Sequence, residues 1–133
     1  MRRIMFRGKI KYTRRWIEGY LWRGCNEAFY IKTEELEEFG STLKDFEVFP
    51  ETVGQSTGLT DKNGKEIYEG DIIKEKNGIG VIMWFQTSWG VASYAHGYNG
   101  LKSYTAVDSF YSNETKEWSV IGSIHDNPEL LQN

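Results

Sequence analysis

Polar and apolar residues alternate along the first part of the chain. Along Met5–Tyr12, every second residue from Arg7 onward is basic and the residues between are mainly apolar, which is typical of a half-buried β-strand. The segment Trp16–Trp22 is apolar at positions of both parities, as in a strand that is covered on both faces. Thr13–Arg15 connects the two, so the pattern predicts an N-terminal hairpin whose apolar face ends at Tyr12.

The next segment combines a strand, a helix and an extended stretch. Glu27–Lys32 is rich in aromatic and β-branched residues and predicts a third strand. Thr33 is a suitable N-cap, acidic residues follow it and Gly40 can end a helix, so a short helix is predicted between them. Leu43–Phe49 predicts an extended segment that ends at Pro50, which cannot donate a ladder hydrogen bond.

Two tight turns organise the middle of the chain. Asp61–Gly64 predicts a reversal, and two turn types fit it. In a type I′ turn, Asn63 and Gly64 would occupy the two central positions with positive φ. In a type I turn, Asp61 would begin the turn and Gly64 would follow it in the left-handed conformation. A second turn is predicted at Tyr68–Asp71.

Short apolar segments bounded by turns predict the later strands. These strands are Asp71–Glu75, Ile79–Phe85, Trp89–Tyr94 and Glu117–Ile124. Residues 54–94 would form an antiparallel meander that closes into a small SH3-like barrel, because closure removes open sheet edges. Asn127 and Pro128 predict a short C-terminal helix, as its N-cap and first residue.

The predicted fold class is therefore mainly β. It consists of a small SH3-like barrel or antiparallel meander with an N-terminal hairpin extension and a short C-terminal helix. A single domain of residues 1–133 is expected by length. Residues 1–49 would hold the hairpin and an acidic segment, and residues 50–133 would hold the barrel and the terminal helix.

Composition agrees with a packed, reduced, cytoplasmic protein. Hydrophobic residues make up 39% of the chain and aromatic residues 15%, which is enough for one core. The single cysteine, Cys25, excludes an internal disulfide. No apolar run approaches the about 20 residues that span a bilayer. Arg2 and Arg3 precede no apolar segment of a signal peptide, so we expect a location in the cytoplasm of the host cell and no membrane partner.

Charge is segregated along the chain, although the net charge is only −3. Residues 1–15 hold seven basic side chains and no acidic one, whereas residues 33–51 hold seven acidic side chains and one lysine. The candidate contacts for nucleic acid or a protein partner are Arg7, Lys9, Lys11, Arg14 and Arg15. These cations could follow a phosphate backbone, form a solvated sheet face, or meet the acidic segment within or between subunits.

A tyrosine-rich segment gives a second candidate recognition surface. Its members are Tyr94, His96, Tyr98, Asn99 and Tyr104. Tyrosine is amphipathic and loses little conformational entropy when it is ordered, so it suits contact sites. The alternative is that the same rings only cap the barrel.

The sequence contains no motif of catalysis, metal binding or nucleotide binding. Asp61, Asn63 and Asp71 bring oxygen atoms near a turn, but Lys62 interrupts the alternating ligands of a calcium loop. The adjacent pair of His125 and Asp126 does not amount to a catalytic relay. We therefore expect no enzyme activity and no cofactor.

Two segments resemble the YopX family of phage and prophage proteins. Pro50–Ile73 contains both turns and resembles that family's signature, and Val120–Leu131 resembles its closing segment. Phe6–Lys9 resembles the first strand of the family only in part, because the Ala-Trp and charged hairpin that usually follow are missing here. The resemblance implies a small, β-rich, oligomeric phage protein, and it brings no catalytic residues to carry over.

Segregated charge and abundant aromatic residues favour a phage accessory protein that acts through protein–protein assembly. Self-association into a homo-oligomer is the leading expectation, with a phage or host protein as a further possible partner. The alternative is nucleic-acid binding through the basic N-terminal strand. Assembly predicts that this strand is covered by an acidic surface, and nucleic-acid binding predicts that it is open.

Overall fold

The structure is a computed structural model that describes residues 4–38, 40–76, 78–85, 88–94, 101–106 and 114–131. The fold is mainly β and contains two antiparallel sheets. The chain forms two compact units, Met1–Ser56 and Thr57–Asn133. Among the described residues, no helix is long and apolar enough to cross a membrane.

The N-terminal unit is built from four strands and the start of a fifth. They are β1 (Phe6–Lys9), β2 (Trp16–Arg23), β3 (Phe29–Glu37), β4 (Gly40–Val48) and β5 (Gly54–Thr60). The order in the sheet is β4-β3-β2-β1-β5. Phe6 lies opposite Gly19 and Lys9 lies opposite Trp16, so the predicted N-terminal hairpin is confirmed.

The N-terminal sheet curls around a small apolar core. Ile31 and Val48 are fully buried. Gly8 allows the close approach, because a Cβ atom there would lie 3.1 Å from the Cβ of Val48 and 3.2 Å from the Cδ1 of Ile31. The curl brings the end of β4 to the end of β1, where Ile10 and Val48 form an antiparallel bridge.

The C-terminal unit contains the other strands. They are β6 (Glu66–Tyr68), β7 (Asp71–Glu75), β8 (Gly78–Phe85), β9 (Ser88–Tyr94), β10 (Leu101–Ala106) and β11 (Ser119–Ser123). β6 pairs with β5, and the remaining five form a sheet in the order β10-β9-β8-β7-β11. Its core consists of Ile67, Ile73, Ile82, Val91 and Trp118.

Both predicted turns of the C-terminal unit are present. The amide of Gly64 donates to the carbonyl of Asp61 over 3.0 Å, and Gly64 has φ of +79°. Asn63 does not have a positive φ, so the type I alternative describes this turn and the type I′ alternative is wrong. Gly70 in the second turn has φ of +89°.

One expectation about elements is wrong, and two others are supported only in a coarser form. The helix predicted between Thr33 and Gly40 is wrong, because β3 continues to Glu37 and pairs with β4 along that whole stretch. The described residues show antiparallel sheets without the predicted closure into a barrel. At the C-terminus, Pro128–Leu131 form one short 3-10 helix, and the side-chain oxygen of Asn127 accepts from the amide of Ser123.

Candidate interaction surface

The strand register gathers polar and aromatic residues on one face of the N-terminal sheet. Directly opposed residues of an antiparallel pair point to the same face. Ile31 and Val48 lie on the core-facing side, so the residues of opposite parity form what we call the outer face. Its members are Arg7, Lys9, Trp16, Glu18, Tyr20, Trp22, Tyr30, Lys32, Glu34, Leu43, Asp45 and Glu47.

Two of the basic side chains predicted as contacts, Arg7 and Lys9, pack on the indole ring of Trp16. The guanidinium carbon of Arg7 lies 4.5 Å from the centre of the Trp16 ring, and the Nζ of Lys9 lies 5.3 Å from it. Such cation–π contacts strengthen when the cation loses water. Arg7 is only 9% exposed, so at this residue the basic strand is covered rather than open, an alternative that the sequence left undecided.

Lys11 joins the basic segment to the acidic segment within one subunit. Its Nζ lies 2.7 Å from an Oε2 of Glu47, and its amide donates to the carbonyl of the same residue over 3.0 Å. The side-chain hydrogen bond to Glu47, followed by the charge of that carboxylate, raises the pKa of Lys11. Of the alternatives considered for the basic residues, Lys11 therefore follows the third, which is contact with the acidic segment within one subunit.

The remaining predicted cations lie in the turn after β1. Arg14 and Arg15 are exposed, and Arg14 has φ of +59°. The amide of Arg14 donates to the carbonyl of Ile10 over 2.7 Å, which fixes the turn. Tyr12 is 90% exposed. The sequence predicted that it would end the apolar face of the first strand, but β1 ends at Lys9, three residues earlier.

An aromatic stack on the outer face was not predicted from the sequence. The rings of Trp22 and Tyr30 lie 4.5 Å apart at 17° to each other. The Nε1 of Trp22 donates to the Oδ1 of Asp45 over 2.8 Å, and the Nδ2 of Asn26 donates to the hydroxyl of Tyr30 over 3.1 Å. The stack is therefore held from both ends, while Trp22 stays 41% exposed.

Two further apolar side chains lie exposed on the same face. Tyr20 is 50% exposed and precedes Trp22 by two positions on β2. Leu43 on β4 is 64% exposed and lies opposite Glu34. The Nζ of Lys32 lies 3.9 Å from the Oδ1 of Asp45, so charges of both signs adjoin these side chains. The only sequence signal for this surface was the excess of aromatic residues.

The second predicted surface lies largely outside the described residues. Tyr94 is the last residue of β9 and lies opposite Leu101 of β10. Tyr104 lies opposite Ala92 in the same pair of strands. His96, Tyr98 and Asn99 fall outside the described part of the chain, so this surface stays a prediction.

Asp61 is a buried hydrogen-bond acceptor. Its Oδ1 accepts from the amides of Asn63 and Lys65, each over 2.9 Å, and its Oδ2 accepts from the amide of Val120 over 3.0 Å. Burial acts to raise the pKa of Asp61, but these hydrogen bonds outweigh burial and lower it. Within the described residues no group of three or more His, Cys, Asp or Glu could hold a metal ion.

The two segments that carry the family resemblance meet in the C-terminal unit. The carbonyl of Gly70 accepts from the amide of Ile124 over 2.9 Å, and Asp71 lies opposite Ser123. The carboxylate of Asp71 is buried and accepts from the amide of Tyr68 over 2.8 Å. Together with the contact between Asp61 and Val120, these bonds give both segments a structural role.

Comparison with known proteins identifies the family of the chain. No curated protein matches the chain. The crystal structure of protein EF1440 from Enterococcus faecalis is similar over 97% of this chain and 98% of that chain, with 24% sequence identity and a TM-score of 0.47. The sequence model of the YopX protein family matches residues 5–132, and the chain therefore belongs to that family.

Proposed function

We propose that this protein acts through protein–protein assembly, as a homo-oligomer with an accessory role in phage or prophage biology. The observation that carries the proposal is the exposure of Tyr20, Trp22 and Leu43 on one face of the N-terminal sheet. Single exposed apolar residues are common, but aromatic residues grouped on one face are typical of interaction sites. The outer face would be the assembly surface.

Two features of the outer face support self-association. The stack of Trp22 on Tyr30 is fixed by hydrogen bonds at both ends, so little entropy is lost when it is covered. The face also carries both signs of charge, as Lys32 and Asp45 show. A self-complementary contact needs both signs on the same surface.

Nucleic-acid binding through the basic N-terminal strand is the second candidate. It is favoured by the exposure of Arg14 and Arg15 in the turn after β1. It is disfavoured by the burial of Arg7 and by the contact of Lys11 with Glu47. Phosphate binding would be tight at low salt and would weaken steeply as the salt concentration rises.

Sedimentation velocity at high micromolar protein concentration tests assembly. We expect the wild-type protein to sediment as an oligomer and the double variant Tyr20→Ser/Leu43→Ser to shift towards monomer. The control Ile79→Ser removes an exposed apolar side chain from β8 in the other unit and should leave the distribution unchanged. A wild-type protein that stays monomeric would contradict the proposal.

We also propose the finer features that the sequence predicts. These are closure of residues 50–133 into an SH3-like barrel, a terminal helix that begins after Asn127, action in the host-cell cytoplasm, and a role without catalysis or cofactor.

Support for the barrel comes from the antiparallel order of β7 to β11. Backbone nuclear Overhauser effects between β10 and β11 would test closure, and fractionation of the producing cells would test location.

A further inference from the structure

The turn between β1 and β2 presents charge and an aromatic ring on a fixed backbone. We call Lys11–Arg15 the basic turn. Its backbone is held at both sides, because the amide of Ile10 donates to the carbonyl of Arg15 over 2.9 Å and the amide of Lys11 donates to the carbonyl of Glu47. Tyr12, Arg14 and Arg15 are thus exposed on a turn whose backbone is held by hydrogen bonds. Tyrosine and arginine are enriched at interface hot spots.

The far end of the β3–β4 hairpin carries the opposite charge. β2 pairs with β3 only up to Lys32 within the described residues, whereas β3 and β4 pair on to Glu37 and Gly40. We call residues 33–38 and 40–44 the acidic arm. Its Glu34 and Glu38 are exposed, and exposed Leu43 lies opposite Glu34. A two-stranded ribbon has little stability alone, so a contact that covers it is favourable.

The basic turn cannot reach the tip of the acidic arm in its own subunit. The turn is hydrogen-bonded to the Glu47 end of β4, and the tip begins at Gly40, seven residues further along the same strand. Seven residues of a β-strand span roughly 23 Å, and Leu43, which lies opposite Glu34, is four residues or roughly 13 Å from Glu47. Arg14 and Arg15 form no ion pair within the described residues, so complementary charges remain unused in a single copy.

We propose that the basic turn of one copy docks on the acidic arm of a second copy. This inference rests on the proposed homo-oligomer and adds the two surfaces that meet in it. Arg14 and Arg15 would face Glu34 and Glu38, with Tyr12 against the exposed apolar part of the arm. Exposed ion pairs are screened by salt, so assembly through this contact weakens as the ionic strength rises.

Two charge-reversed variants test the contact by sedimentation velocity. The turn variant is Arg14→Asp/Arg15→Glu, with Asp at position 14 because it tolerates a positive φ better than Glu does. The arm variant is Glu34→Lys/Glu38→Lys. Each variant alone sets like charges against each other, so self-association should weaken roughly tenfold or more. An equimolar mixture restores both attractive contacts, and it should assemble as the wild-type protein does.

Controls separate this contact from folding and from general charge effects. The variant Lys62→Glu/Lys116→Glu makes the same change in net charge as the turn variant, at exposed positions of the other unit, and should assemble normally. Circular dichroism of every variant verifies the β fold. Rescue in the mixture cannot arise from unfolded chains, so it keeps the test valid even if one variant is less stable.

The outcomes distinguish failure of the docking contact from failure of the proposed homo-oligomer. Normal assembly of both charge-reversed variants would overturn the docking contact and leave the proposed homo-oligomer standing. A monomeric wild-type protein would overturn both. A fluorescein-labelled single-stranded DNA that binds the wild-type protein at low salt, but not the turn variant, while assembly is unaffected, would assign the basic turn to nucleic acid and overturn its docking on a second copy.

Discussion

Asp61 connects a turn to a distant strand through its carboxylate. One oxygen accepts from two amides of its own turn, and the other accepts from Val120 of β11, 59 residues away. The side chain is only 3% exposed. A buried carboxylate is costly unless its oxygens are satisfied, and here backbone amides from two segments satisfy them. This residue therefore links the two segments of the family signature.

The substitution Asp61→Asn should destabilise the protein by about 1–3 kcal/mol at neutral pH. Asparagine keeps one acceptor oxygen for Asn63 and Lys65 but turns an NH2 group towards the amide of Val120, where donor would face donor. Urea unfolding followed by tryptophan fluorescence measures the loss.

The destabilisation should shrink in acid. The pKa of Asp61 is lower in the folded protein than in the unfolded chain, so its charge contributes fully above the unfolded pKa. That contribution is lost as the pH falls through the folded pKa. Glu129→Gln, at an exposed position of the same unit, serves as the control. An Asp61→Asn effect of equal size at neutral pH and near pH 3 would contradict this account.

At the level of elements, β3 shows how pairing overrides local preference. Thr33 and the acidic residues after it are typical of a helix N-terminus, yet they continue a strand. The deciding interaction is the register from Thr33 opposite Lys44 to Glu37 opposite Gly40. The sequence pattern of neither segment, taken alone, indicates that the two strands pair in this register. The hairpin of β1 and β2 and the turn at Asp61 were predictable because alternation and turn residues are local signals.

The stacked pair of Trp22 and Tyr30 should couple β2 to β3 energetically. The two residues lie directly opposite each other, and stacked aromatic pairs contribute about 0.5–1.5 kcal/mol beyond burial. A double-mutant cycle of Trp22→Ala, Tyr30→Ala and the double variant should return a coupling of that size in urea unfolding. Tyr30→Phe is the control, because it removes the hydroxyl contact with Asn26 and keeps the ring. A coupling indistinguishable from zero would show that the stack does not stabilise the sheet.

At the scale of the whole molecule, the sequence indicated a β protein with segregated charge. It did not indicate how the strands are divided between two sheets. It could not decide whether Arg7 is open or covered, because alternation shows which face of the strand a side chain lies on but does not reveal that the ring of Trp16 packs against it. It could suggest contact between the basic and acidic segments, which the pair of Lys11 and Glu47 shows. Closure of a barrel depends on pairing between distant strands, which no local pattern specifies.

Each compact unit contains fully buried apolar residues, and this division predicts additive energetics. Ile31 packs against Gly8 and Gly19 in the N-terminal unit, whereas Ile73 belongs to the cluster of the C-terminal unit. Ile31→Val and Ile73→Val should each cost about 0.5–1.5 kcal/mol. Because Ile31 is not among the described members of the cluster around Ile73, the double variant should equal the sum within about 0.5 kcal/mol. Urea unfolding monitored by circular dichroism and tryptophan fluorescence gives the values.

A matched pair within one core provides the comparison for that prediction. Ile73 and Ile82 belong to the same cluster, so Ile73→Val and Ile82→Val change neighbouring packing. Cavities that adjoin can relax together, and their costs then depart from the sum. We therefore expect a larger interaction energy for Ile73 with Ile82 than for Ile73 with Ile31. An interaction energy for Ile73 with Ile31 that is non-zero and as large as that for Ile73 with Ile82 would mean that packing changes in one unit are felt in the other.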